Sequence, residues 1–122
     1  MTTPPIEFNL KIYQGSDFEK LFEKGTLSGT TFTPVDLTGY TARMQARERI
    51  DSGVTFLDLD SGSKGGIAID GPNGRVTITL SAVQTAALST TGGYYDIELI
   101  DTLGKVSRLA MGLILVSAEV TR

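Results

Sequence analysis

Tyr40-Thr41-Ala42-Arg43-Met44-Gln45-Ala46-Arg47 is the stretch that decides the fold. Tyr40, Ala42, Met44 and Ala46 alternate with Thr41, Arg43, Gln45 and Arg47. Successive side chains of a β-strand point to opposite faces, so this period of two describes a strand with one buried face and one wet face.

Upstream, Pro34-Val35-Asp36-Leu37-Thr38-Gly39 reads as a turn, and the Gly-, Ser- and Thr-rich residues from Lys24 to Thr38 read as an exposed loop. Phe18 to Glu23 fits a strand with Phe18, Lys20 and Phe22 on one side; Leu21 disturbs the alternation, and a helical turn also fits. Gln14-Gly15-Ser16-Asp17 separates it from Phe8-Asn9-Leu10-Lys11-Ile12-Tyr13, where Phe8, Leu10 and Ile12 share a core face. Residues 1–7 are expected to be a flexible arm and residues 8–122 one sandwich domain, with contact between the arm and a neighbouring subunit as the alternative.

Downstream, Thr55–Leu59 and Gly66–Asp70 are short strands, and Asp70-Gly71-Pro72-Asn73-Gly74 is a tight turn into a partner strand, Arg75–Leu80. Ser81 to Leu88 is the one helical piece, with Ser81 and Gln84 at capping-box spacing. Tyr94–Ile100, an Asp101–Gly104 turn and a long strand from Lys105 to about Ser117 form a second hairpin. Seven or eight short strands with turns at this spacing predict an all-β fold, an immunoglobulin-like antiparallel β-sandwich with one short helix at about residues 81–88; a partly open barrel is the competing arrangement.

The last strand is apolar on both sides. Ala110, Gly112, Ile114 and Val116 share one parity, and Leu109, Met111, Leu113 and Leu115 share the other. A sheet face open to water is normally polar, so something must cover the second side: the domain's own helix or loop, or another subunit. Leu109, Met111, Leu113 and Leu115 are therefore the candidate subunit interface.

Composition narrows the chemistry. The 122 residues are 40% hydrophobic and 20% charged, as in an ordinary globular domain. Lys+Arg 11 against Asp+Glu 14 gives a formal charge of −3, the wrong sign for neutralising phosphates, so no nucleic-acid partner is expected. The chain has no Cys and no His, which removes Ser-His-Asp and Cys-His nucleophile sets, disulfides and Cys/His zinc sites. Paired carboxylates remain available as residue types.

Asp96 and Glu98 share one strand face and are expected to be simply solvated, since nothing nearby in sequence supplies an apolar pocket. Arg43 and Arg47 are expected to pair with them across strands. Asp58-Leu59-Asp60-Ser61-Gly62 resembles a calcium loop but lacks the third alternate ligand and the closing Glu, so a solvated strand end is expected. Gly62 to Gly66 lacks the spacing of a nucleotide loop. The expectation is no catalytic, metal or cofactor site and no small-molecule substrate. The longest strongly apolar stretch, Leu109 to Val116, is too short for a membrane-spanning helix, and the opening residues show no basic or apolar leader, so cytoplasmic synthesis is expected.

Whole phrases carry a resemblance. They are Leu10 to Phe18, Val35 to Arg47, Leu80 to Leu88, Tyr95 to Asp101, Gly104 to Val106 and the closing Val116 to Arg122. Together and in this order they resemble a family of small bacteriophage tail and baseplate virion proteins, and are similar to the N-terminal domain of phage baseplate upper proteins. The resemblance implies an immunoglobulin-like building block of the particle and not an enzyme, present in the virion as a symmetric homo-oligomer with other phage structural proteins as partners. A single-domain tail, neck or baseplate fitting is expected, with a capsid decoration protein or a carbohydrate-binding sandwich as alternatives. A sugar site would have to draw on Tyr13, Tyr40, Tyr94 and Tyr95, because the chain has no Trp.

Overall fold

The computed structural model describes residues 4–121. Its strands, in chain order, are β1 (Ile6–Glu7), β2 (Leu10–Tyr13), β3 (Phe18–Glu23), β4 (Gly25–Ser28), β5 (Thr31–Pro34), β6 (Thr41–Arg47), β7 (Leu57–Asp60), β8 (Ile67–Asp70), β9 (Arg75–Leu80), β10 (Gly92–Ile100) and β11 (Val106–Ser117). The helix α1 (Ala82–Ala86) lies between β9 and β10. One sheet runs β1-β11-β10-β6-β7, with β2 also on β11, and the facing sheet runs β3-β9-β8. This is an immunoglobulin-like β-sandwich.

Alternation builds the core. Ala42, Met44 and Ala46 of β6 are buried as their spacing requires, and Ile97 and Leu99 of β10, Val76, Ile78 and Leu80 of β9, and Leu10 and Ile12 of β2 meet them between the sheets. At α1, Ser81 Oγ accepts from the Gln84 amide at 3.2 Å, and Gln84 Oε1 accepts from the Ser81 amide at 2.8 Å. This reciprocal pairing satisfies donors that the helix leaves free. Thr85, fully buried, donates to the Ser16 carbonyl and accepts from the Gly15 amide, which ties α1 to the turn after β2.

Three expectations change. First, Ile6 and Glu7 do not belong to a free arm: they pair in parallel with Ala110 and Met111 of β11. Met1–Thr3 of the expected arm lie outside the described residues. Second, the first strand is broken at Phe8-Asn9, and Phe8 leaves the core face to pack edge-on against Phe22 with the Lys20 ammonium 3.9 Å from its ring centroid. Third, the expected loop from Lys24 to Thr38 holds the β4–β5 hairpin, paired only with itself.

Candidate assembly surface

The outer face of the larger sheet is laid out in rows by strand register. Arg47, Tyr94 and Leu113 form one row across β6, β10 and β11; Gln45, Asp96 and Met111 form the next; Arg43, Glu98 and Arg108 form the third. A groove of about 590 Å³ runs along this face, with Tyr94, Met111, Leu113 and Ile50 as its apolar lining. Lys11 stands beside Leu115 on β2, which continues the patch towards the sheet edge.

The four expected interface residues do not stay together. Ile97 pairs with Ala110 and Glu98 with Arg108, so Leu109 is an extra residue in a β-bulge with no partner opposite it. The bulge turns Leu109 inward, where it is 3% exposed, next to the equally buried Ala110. Leu109 is thus a core residue and not part of the outer face. Met111 lies half-buried in the groove, while Leu113 and Leu115 are exposed, at 39% and 48%. The sequence carries a signal for this irregularity: Arg108 has the parity of Ala110 and Ile114, and strict alternation would have buried its charge.

The helix does not cover this face, because it is tied to the β2–β3 turn. Ile50, from the loop after β6, reaches the groove, and Arg47 holds that loop by donating from Nη1 to the Ser52 carbonyl at 2.8 Å. Ile50 and the groove-lining Glu7 and Asn9 do not stand out in sequence, since a loop and a strand break place them there. Asn9 Oδ1 accepts from the Leu113 amide at 3.0 Å, an edge contact that stands in for a missing ladder bond.

Charges on this face mostly satisfy each other. Arg43 Nε is 2.7 Å from Glu98 Oε1, the cross-strand pairing the sequence predicts. Arg47 instead donates to Ser52 and to Gln45 Oε1, and Asp96 is paired from the other side by Arg108 at 3.6 Å. Asp96 is also less wet than expected: burial pushes its carboxyl up, and the Arg108 guanidinium pulls it back. The groove supplies the apolar surroundings that neighbouring sequence does not.

Asp58 and Asp60 are engaged in a turn. Lys64 Nζ lies 2.8 Å from Asp58 and holds that carboxyl below its usual range. Asp60 Oδ1 accepts from the amides of Gly62, Lys64 and Gly65. Among the described residues no group of three or more Asp, Glu, His or Cys is arranged to hold a metal ion. The four tyrosines do not form one platform: Tyr95 is buried, Tyr40 packs half-buried against the core, Tyr94 lines the groove, and Tyr13 is exposed on β2.

No protein-family profile matches the chain, and no curated protein matches it. Among solved structures the chain is similar to the natural killer cell receptor NKp44, described as a triggering partner in natural cytotoxicity, at 12% identity and a TM-score of 0.54 over 94% of this chain and 100% of that one. At that identity the likeness concerns the fold alone, and it agrees with the immunoglobulin-like arrangement of the two sheets.

Proposed function

We propose that this chain is a structural protein of a bacteriophage particle, a tail, neck or baseplate component that works by assembling into a symmetric oligomer, with no catalytic step. The phage setting rests on the order of phrases that resembles small virion proteins. The observation that carries the assembly role is the exposure of Leu113 and Leu115 on a strand where none of the described residues covers them. Their neighbours Arg43, Glu98, Asp96 and Arg108 already pair within the molecule, and Arg47 is held by the Ser52 carbonyl and Gln45, so the charge beside the apolar surface is already engaged. Apolar centres with aromatic, Met and Arg content characterise protein interfaces.

The test is sedimentation and electron microscopy of the purified chain. Discrete symmetric oligomers are expected, and Leu113→Asp with Leu115→Asp should weaken association by about 100-fold or more, since burying each leucine is worth about 1.5–3 kcal/mol. Both side chains point away from the core, so thermal unfolding of the variant should match that of the parent. A parent that stays monomeric, or a folded variant that assembles unchanged, would refute the role.

A further inference from the structure

The β4–β5 hairpin is a second unpartnered feature. Among the described residues its strands pair with no other strand, and all its strand residues except Gly25 are exposed. Leu27 and Phe32 sit directly opposite each other, 71% and 42% exposed, and no residue from Gly25 to Val35 is charged. A lone two-stranded ribbon is marginal in water, and natural proteins usually guard open strand edges with charge. Here the base is anchored, since the Lys24 amide donates to the Gly74 carbonyl at 2.8 Å and the Val35 amide to the Lys24 carbonyl at 2.9 Å, while the edges and the apolar pair are left open.

The hairpin and the apolar part of the groove belong to opposite ends of the molecule. The hairpin springs from the end that holds the β8–β9 turn and the start of β6 at Thr41. The apolar part of the groove lies where β6 ends at Arg47 and β10 begins beside Tyr94. β6 separates them by about 20 Å, whereas a four-residue strand spans about 13 Å. No hairpin residue lines the groove of its own chain. Asp96–Arg108 is closed within the groove and Arg47 is held by the Ser52 carbonyl and Gln45, so the part lined by Tyr94, Leu113 and Ile50 suits an apolar occupant, and the hairpin has that character.

Resting on the assembly role proposed above, we propose that the β4–β5 hairpin of one copy seats Leu27 and Phe32 in the outer-face groove of the next. Two different surfaces then meet head to tail, the geometry that closes into a ring when the rotation permits. Each contact joins one hairpin to one groove and holds a pair by itself, and ring closure adds avidity to it.

The experiment uses two one-sided variants of the full chain, Leu27→Lys with Phe32→Lys on the hairpin and Leu113→Asp in the groove, followed by sedimentation and circular dichroism. Each variant alone should be a folded monomer. An equimolar mixture should stop at dimers, because one intact hairpin meets one intact groove and neither chain can propagate. If the hairpin variant assembles like the parent while the groove variant does not, the head-to-tail contact is overturned and assembly through the face survives. A monomeric parent instead removes the assembly role itself.

A second measurement does not depend on charged variants. The chain has no cysteine, so a Leu27→Cys copy mixed with a Leu113→Cys copy should give mixed disulfide dimers under mild oxidation, well above the yield of either copy alone. Cross-links confined to like copies would overturn the proposal.

Discussion

Tyr95 shows how one side chain serves both the core and the sheet edge. Its ring packs between the sheets, and its hydroxyl donates to the Phe8 carbonyl at 2.6 Å, at the break between β1 and β2. Burial pushes that hydroxyl up to about 12 from its ordinary value of 10.0. Tyr95→Phe should cost about 1 kcal/mol in urea unfolding at neutral pH, because the Phe8 carbonyl loses its side-chain donor. The alkaline limb carries a second signature. As pH rises from 10.0 towards about 12, the unfolded chain releases this proton before the folded one does. The folded state then binds more protons, so stability falls with rising pH. The other three tyrosines are common to both proteins, so the Phe variant should lose less stability between about pH 9 and pH 11. Equal losses, measured as urea midpoints at the two pH values, would contradict the burial of the hydroxyl.

At the scale of elements, the break in the first strand depends on a residue far along the chain. A Cβ on Gly112 would stand 2.3 Å from the Phe8 carbonyl oxygen, so only a residue without a side chain lets the β1–β2 crossing pass over β11 there. Gly112→Ala should destabilise the fold by about 1–3 kcal/mol through overpacking against backbone, with amide exchange rising first around Phe8 and Asn9. Ala tolerated without loss of stability or protection would show that the crossing has room to move. The same contrast between local and distant causes explains what the sequence made legible. β6, β9 and β10 declare themselves because alternation and burial coincide along them, and α1 does so because Ser81 and Gln84 carry both halves of its cap. The β4–β5 hairpin has no buried face to write a pattern, so its Gly, Ser and Thr residues look like loop. Leu109 was misplaced because one bulged residue shifts the parity of everything before it, with Arg108 as the only local sign. Leu113 and Leu115 were legible as a surplus of apolar surface, whereas Ile50 and Asn9 reach the groove through tertiary placement alone.

For the whole molecule, the balance of forces between copies follows from where charge is spent. The chain carries a formal charge of −3, so distant copies repel weakly, while the ion pairs Arg43–Glu98, Arg108–Asp96 and Lys64–Asp58 all close within one copy. Association through Leu113, Leu115 and their neighbours would then be driven by apolar burial, which salt does not screen. Raising ionic strength from about 0.01 M to about 1 M shortens the screening length from about 30 Å to about 3 Å. That removes the repulsion and leaves the apolar contact intact. Sedimentation across this range should therefore show association that is constant or tighter in high salt. Dissolution of the oligomers by salt would mean that ion pairs between copies hold them, and would shift the interface from the leucines towards cations in no ion pair among the described residues, such as Lys11 and Lys105, acting on a neighbour's carboxylates.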